Sequence, residues 1–485
     1  MKRNTIHMFD IICKDSNLTY NAYHIAKAFY PTEVIKLQVR EEASDFVLMK
    51  KDGDVIAKVS YNEKSVLKHE IDCLLYKKLS AITGKELPWG ILTGVRPTKI
   101  AMEKTMAGMN KDDFVKWIGN ELFVSKEKAV LSWNIVKREK EILDKIDAGN
   151  GFSLYIGIPF CPTICDYCSF GSGSLDKWGS FVDDYLRVLI KEIKAVGNLV
   201  GKKNLQTIYI GGGTPTTLST KQLELLSSAI EKSFKCGSLL EYTLEAGRSD
   251  TITKEKLEVI KRHGITRISI NPQTMQQRTL DLVGRQTPIE SIVRAFHQAR
   301  DLGFDNINMD LIAGLPLETA EDMRDTLQQI MVLNPDSLTV HALARKRASN
   351  YGRSNDGMAN NVTNKYSANG EIEKMLELSK NAADAIKMEP YYLYRQKDIA
   401  GNFENIGFAK IDKAGIYNIL IMEEIQSIIA LGAGATSKIV LPKPISVGNG
   451  KTSRYIRSTN DKSIDGYIRR VDEMIQRKEE LLCLW

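Results

Sequence analysis

Beyond residue 150 the chain keeps one rhythm. Short apolar runs, "SLYIGIP", "TIYIGGG", "YTLEAG", "RISIN", "NINMDLIAG" and "SLTVHAL", alternate with stretches of helical spacing. The helical stretches are "GSFVDDYLRVLIKEIKAVG", "TKQLELLSSAIEKSF", "TKEKLEVIKRHG", "PIESIVRAFHQARDLG" and "AEDMRDTLQQIMVL". Each run reads as a buried strand and each stretch as an amphipathic crossover. Strand, helix and strand in repetition make right-handed crossovers and a parallel sheet. Six such strands suit an incomplete β/α barrel or a doubly wound sheet, and both place ligands at the carboxyl ends of the strands. The polar groups there are "GGGTP", Glu245, Asn271 to Gln273, Asp310 and His341.

Residues 1–85 are patterned differently. "TIHMFDIIC" alternates and "YNAYHIAKAFY" has helical spacing. "VIKLQVRE", "FVLMKK" and "VIAKVSY" read as strands, with Asp52-Gly53-Asp54 as a hairpin turn between the last two. "EKSVLKHEIDCLLYKKLSAIT" reads as an amphipathic helix and "LPWGILTGVRPTKIAMEK" as a connector punctuated by Gly and Pro. Two more helical runs lead to Gly149-Asn150-Gly151, the expected domain boundary. The expectation is an α+β domain with a helical linker over 1–150, a barrel over 151–345 and a C-terminal extension over 346–485. Residues 1–150 carry no motif with a mechanism attached.

Composition adds little. A chain of 485 residues with 43% apolar and 26% charged residues supports a sizeable core and more than one domain. No apolar run is long enough to span a membrane, and the N-terminus lacks a signal-peptide pattern, so a cytoplasmic location is expected. The net charge of +7 is mild. No basic block or basic–aromatic stripe marks a nucleic-acid face, so no nucleic-acid partner is expected. The surplus reads as a solvated surface, or as the mark of a partner rich in carboxylate or phosphate. A monomer is expected.

Three of the seven cysteines fall in "IPFCPTICDYCSF", at positions 161, 165 and 168, just after the first barrel strand. The others, Cys13, Cys73, Cys236 and Cys483, are scattered, and the odd total speaks against a disulfide framework. A structural zinc site wants four ligands, usually in two pairs. The nearest further donors, His263 and Cys236, lie on or near predicted helix ends. A core role fits poorly, because Pro162, Asp166 and Ser169 place the triplet in a loop. Thiolates suit iron–sulfur clusters, and three ligands on a four-iron cluster leave one iron open.

The C-x3-C-x2-C spacing resembles the signature of the radical S-adenosylmethionine superfamily. The resemblance implies a [4Fe–4S] cluster whose open iron is chelated by the amino and carboxylate groups of S-adenosylmethionine. It further implies reductive cleavage to a 5′-deoxyadenosyl radical, hydrogen abstraction from a substrate, and a low-potential electron donor. "YIGGGTPTTL" resembles the superfamily's "GGE" element, although alone it reads as a tight turn. "YIGIPFC", "GGGTP", "TLEAG", "NPQTMQQRTLDLVGR" and "NMDLIAGLP" resemble, in order and spacing, the oxygen-independent coproporphyrinogen III oxidase (dehydrogenase) family. "LPWGILTGVRPTKIAME" resembles its HemZ-type branch.

That resemblance implies an α/β fold: an incomplete (β/α)6 barrel of the radical S-adenosylmethionine type, with a small N-terminal α+β domain and a C-terminal α+β extension. Cys161, Cys165 and Cys168 would bind the cluster. Tyr155 and Tyr167 would lie against S-adenosylmethionine, present as one or two molecules. Gly212, Gly213 and Thr214 would line it by backbone, and Glu245 would contact it by carboxylate. Gln273, Arg285 and Asp310 would hold ribose or carboxylate groups, with Ala344 near the adenine. Each has a plainer reading: Glu245 as a helix cap, Asp310 as a buried loop partner, Gln273 and Arg285 as residues of a surface helix. His341 reads as a mouth residue without chemistry, and "LGAGATS", 431–437, as a turn after a strand.

The implied substrate is coproporphyrinogen III, a tetrapyrrole with four propionates. The implied reaction is oxidative decarboxylation of two of them to vinyl groups, which makes the chain an oxidoreductase of haem biosynthesis. Arg345, Lys346, Arg347, Arg395 and Lys397 are candidate partners for the propionates. "YYLYRQKDIAGNFENIGF" reads as a wall for a flat substrate or as aromatic core. Three positions depart from the family pattern. Phe170 stands where a fourth cysteine is usual, Gly157 where a histidine is usual, and Gly247-Arg248 where a proline-containing turn is usual. "CSF" resembles the haem-chaperone relatives, so a haem-binding carrier stays open, as does a methyltransferase or ring-opening enzyme on a tetrapyrrole.

Overall fold

The structure is a computed structural model describing residues 8–13, 16–30, 33–40, 46–60, 68–94, 96–344, 349–350, 370–395, 403–446 and 452–485. The chain forms two compact units, Met1–Lys137 with Leu393–Glu404, and Arg138–Tyr392 with Asn405–Trp485. The division falls between Lys137 and Arg138, ahead of Gly149-Asn150-Gly151. The helical run that leads to that turn, Lys126–Leu143, is one continuous helix crossing the division.

The first unit carries a four-stranded sheet in the order β2-β1-β3-β4. Its strands are β1 (Met8–Cys13), β2 (Val34–Val39), β3 (Phe46–Lys51) and β4 (Asp54–Ser60). Asp52 and Gly53 both take positive φ, the two-residue turn that joins β3 to β4. Helices Ser16–Phe29 and Lys68–Thr83 pack together and on the sheet through Ile25, Phe29, Leu75 and Leu79. The expected connector contains a helix, Thr98–Met106, with Pro97 at its N-cap. Proline is tolerated there because that N–H has no intrahelical acceptor. Glu404 is buried and accepts from Trp89 Nε1 at 2.7 Å and Lys128 Nζ at 2.5 Å.

The second unit is built on an eleven-stranded sheet in the order β13-β14-β12-β11-β10-β9-β8-β5-β15-β16-β17. Six of these are the expected parallel strands: β5 (Gly151–Ile158), β8 (Asn204–Gly212), β9 (Glu241–Glu245), β10 (Arg267–Ser269), β11 (Ile307–Ala313) and β12 (Ser337–Ala342). Their near-continuous burial explains the unbroken apolar runs. Between β5 and β8 lies a two-residue pair, β6 (Phe160–Cys161) with β7 (Gly173–Ser174).

The chain after residue 345 extends this sheet at both edges. β14 (Asn405–Ala409), flanked by β13 (Glu389–Tyr394), joins β12 antiparallel. β15 (Ser427–Leu431) joins β5 in parallel and leads into the antiparallel ribbon β16 (Thr436–Ser446) and β17 (Thr452–Thr459). The helix Val182–Leu199 buries Tyr185, Leu186, Leu189 and Ile193 on one face and packs against the C-terminal helix Val471–Leu482. Among the described residues no helix is long and apolar enough to cross a membrane.

Candidate active site

The carboxyl ends of the parallel strands gather most of the expected residues. β5 and β8 pair with Tyr155 opposite Tyr209, and the two rings stack with centroids 6.2 Å apart. Tyr417, from the helix Ile416–Glu423, stacks on both, at 4.6 Å from Tyr209 and 6.3 Å from Tyr155. Tyr209 donates its hydroxyl proton to Glu245 Oε1 at 2.5 Å. Glu245 ends β9 and caps no helix. Burial pushes its carboxyl up to about 7; the Tyr209 hydroxyl and the Gly212 N–H pull it down and the Asp310 charge adds to the rise. At neutral pH this carboxyl therefore stands between its two protonation states.

The glycine turn is fastened to the cysteine strand. Gly213 N–H donates to Ile158 O at 2.8 Å and Thr214 N–H to Phe160 O at 2.7 Å. A Cβ on Gly213 would lie 2.6 Å from Phe160 O, so glycine is required by this contact between backbones. Thr214 Oγ1 donates to Cys161 Sγ at 3.4 Å. Burial pushes the Cys161 thiol up, and the Thr214 and Ser172 hydroxyls draw it partly back.

Two buried arginines brace the same loop. Arg248 pairs with Asp250 at 2.8 Å, donates to Thr163 Oγ1 at 3.1 Å and lies 3.9 Å from Cys165 Sγ. Arg285 donates Nη2 to the carbonyls of Gly247, at 2.5 Å, and Asn271, and it also reaches the Cys165 thiol and the Tyr167 hydroxyl. Tyr167 packs against Val283, Ile312, Leu315 and Leu343. Arg285 is thus a buried brace and not a surface residue; its Nε finds no partner among the described residues.

On the far strands Gln273 takes a positive φ of 70° and bridges to β11, with its N–H on Asp310 O and its carbonyl accepting from Ile312 N. Its side-chain Oε1 is buried without a partner among the described residues. Asp310 accepts from Asn308 Nδ2 at 2.7 Å and lies 3.9 Å from His341 Nε2. Burial pushes the Asp310 carboxyl up, but the bonds and charge of His341, with Asn308 and Thr339, outweigh it and hold the carboxyl below its ordinary range. Ala344 is half-buried just beyond β12.

A cavity of about 800 Å³ opens beside this constellation. Tyr155, Gly157 and Gly212 form one side, Ser169 to Ser172 of the cysteine loop another, and Ala433 to Thr436 with Lys438 a third. The "LGAGATS" turn therefore sits at the mouth.

The donor set fits an iron–sulfur cluster and its nucleotide. Three thiols share one loop, and among the described residues no group of three His, Cys, Asp or Glu closes around a single ion. Thiolates from one loop are the ligand type that an iron–sulfur cluster takes. The orphaned acceptor of Gln273 and orphaned donor of Arg285, from the same set of strand ends as an ionisable Glu245, suit the hydroxyls, carboxylate and ammonium of an amino-acid nucleoside.

Comparison with known proteins agrees. The Radical SAM superfamily profile matches residues 155–330. The oxygen-independent coproporphyrinogen-III oxidase-like protein HemZ of Bacillus subtilis is 38% identical over 420 residues, covering 86% of this chain and 82% of that protein. The chain belongs to the radical SAM superfamily, in its HemZ-type branch. Its cofactors are accordingly a [4Fe–4S] cluster and S-adenosylmethionine. The haem chaperone HemW of Bacillus subtilis is 36% identical over 192 residues, 39% of this chain and 50% of that protein. The solved coproporphyrinogen III oxidase HemN of Escherichia coli shares the fold, with a TM-score of 0.52 at 22% identity over 69% of this chain and 72% of that one.

Arg395 belongs to the first unit, is 3% exposed and donates to Leu92 O. Burial pushes its guanidinium down to about 10, so it is no surface partner for propionates. Tyr391 and Tyr392 are core. Arg345, Lys346, Arg347 and Lys397 lie outside the described residues. Sequence reasoning missed Tyr209, Tyr417 and the bracing role of Arg248. Strand parity signals Tyr209, two residues before Gly211 on the same face; nothing local signals the other two.

Proposed function

We propose that this radical SAM protein is an oxidoreductase that converts propionates of coproporphyrinogen III to vinyl groups without oxygen, yielding protoporphyrinogen IX. Cys161, Cys165 and Cys168 hold the cluster. Tyr155, Tyr167, Gly212, Gly213, Thr214, Glu245, Gln273, Arg285, Asp310 and Ala344 surround S-adenosylmethionine. When bound, the two cofactors supply one-electron cleavage of a carbon–sulfur bond and hydrogen-atom abstraction. The chain's own residues position and shield. Thr214, Arg248 and Arg285 steady the cysteine loop, the tyrosine stack walls the mouth against water, and Glu245 meets cationic groups when ionised. Each vinyl group formed costs the substrate one hydrogen atom from the propionate β-carbon, one carbon dioxide and one electron. A low-potential donor and an external electron acceptor complete the balance.

The observation that supports this reading most is the identity to an oxidase-like relative across both units, joined to a cavity at the cofactor mouth. A second reading, a haem carrier that keeps the cluster, is favoured by the likeness to HemW. Anaerobic incubation with cluster, reductant, S-adenosylmethionine and coproporphyrinogen III, run beside a titration of the same protein with haem, separates them. The first expects carbon dioxide, a vinyl product and 5′-deoxyadenosine. A stable haem complex without decarboxylation would reject it in favour of the second.

A further inference from the structure

The cavity carries a charge pattern that the cofactor contacts leave unused. Among the described residues its charged lining is Lys438, Arg457, Lys462 and Glu424, a surplus of two positive charges. Lys438 on β16 and Arg457 on β17 stand directly opposite each other in register. Like charges in a cross-strand pair repel and cost stability. Both reach one carboxylate: Glu424 Oε1 lies 3.2 Å from Lys438 Nζ and 3.4 Å from Arg457 Nη2. Glu424 bonds both cations, and exposed Lys462 adds a third positive group to the lining. Much of the remaining lining is apolar or aromatic, including Ile158, Phe170, Tyr417 and Ile421. Phe170 is 69% exposed and Ile421 40%, large apolar faces left uncovered beside the positive wall. Such a chamber selects a ligand with an apolar body and anionic arms. Arg457 supplies a planar fork suited to a carboxylate, and Lys438 a point charge already fixed in place by Glu424.

We propose that Lys438, Arg457 and Lys462 clamp the propionate carboxylates of the substrate, seating its macrocycle between the cysteine loop and the β16–β17 ribbon. The clamp rests on the tetrapyrrole reading above and assigns it a place and residues. Its position beside Tyr155 and Gly212 brings a propionate-bearing ring edge to the cofactor mouth.

The test uses the full chain with its cluster, under nitrogen. The probes are coproporphyrin III, with four free carboxylates, and its tetramethyl ester, both titrated by fluorescence. Wild type is expected to prefer the acid and to lose affinity for it as salt rises. Arg457→Gln with Lys462→Gln is expected to weaken the acid about tenfold or more and leave the ester unchanged. Arg457→Gln alone is expected to melt close to wild type, because the repulsion from Lys438 that it removes offsets the exposed contact to Glu424 that it loses, which separates lost binding from lost folding. Equal acid affinity in wild type and double variant, or equal loss of acid and ester, would overturn the clamp and leave the proposed function standing. Failure of wild type to bind either porphyrin would overturn both.

Discussion

Lys478 and Glu192 form a fully buried ion pair, 2.7 Å apart with both side chains 0% exposed. Replacing Lys478 by Met leaves the Glu192 charge buried without its counter-ion. Glu192 would still accept from Asn460 Nδ2 at 2.8 Å, Tyr467 OH at 2.6 Å and Gly432 N at 2.9 Å. Three of its four donors survive, so the loss belongs at the low end of the range for a broken buried pair, about 3 kcal/mol. Glu192→Met is worse. It strands the Lys478 ammonium on the Asn460 oxygen alone and removes the acceptor of Tyr467 OH and Gly432 N–H, so about 5 kcal/mol is expected. The double variant removes both charges and is expected to recover at least about 2 kcal/mol relative to the sum. A chain of two units need not unfold in one step. The assay is therefore native-state hydrogen exchange, read on peptides covering 427–435 and 471–485. Single losses below about 1 kcal/mol, the reverse order of the two singles, or additivity in the double would refute the reasoning.

Ala at Cys161, Cys165 or Cys168 is expected to abolish bound iron and the cluster's visible absorbance, while Cys236→Ala leaves both intact; wild-type iron in any of the first three would contradict the ligand set. Gly213→Ala places a Cβ 2.6 Å from Phe160 O and is expected to displace the strand that carries Cys161, lowering iron retention after gel filtration; an unchanged iron-to-protein ratio would refute the contact argument. Burial pushes the Glu318 carboxyl up to about 7, against a bond from Thr274 Oγ1 at 2.6 Å. The folded state therefore holds a proton that the unfolded chain releases from about pH 4.5 upward. Stability from this group is complete at lower pH and is lost as pH rises to about 7, by on the order of 3 kcal/mol. Glu318→Gln should flatten that slope and exceed wild type at pH above 7; parallel pH profiles in urea melts would reject the assignment.

The residues readable in advance are those whose role is local. β5 and β8 are covered on both faces, so each appears as an unbroken apolar run whatever its neighbours are. The three cysteines share one loop, and thiolate chemistry limits what such a triplet can hold. Arg395 misleads because it follows an aromatic run and looks solvent-facing, while its partner is the carbonyl of Leu92, far away in sequence. Tyr209 and Glu245 meet only because β8 and β9 lie side by side, and Tyr417 arrives from a helix that follows β14.

The same reasoning bears on the cavity. Had the sheet ended at β5, the cysteine loop would face solvent on that side. β15 instead pairs along β5 from Ser427 to Leu431, and the turn after it folds back over the mouth. Gly432 is the hinge of that return: its φ is +99°, and a Cβ there would lie 2.5 Å from Gly157 O. Glu192 holds the Gly432 N–H, and Tyr185 OH holds both Gly157 O at 2.7 Å and Ala433 N at 3.0 Å. The buried ion pair and the cavity are therefore one construction. Removing Glu192 should free the Gly432 backbone before the parallel strands are affected, and porphyrin affinity should fall in Glu192→Met, more than in Lys478→Met, while bound iron is retained. Loss of iron in parallel with porphyrin would mean that the late strands support the cysteine loop itself and not the cavity wall alone.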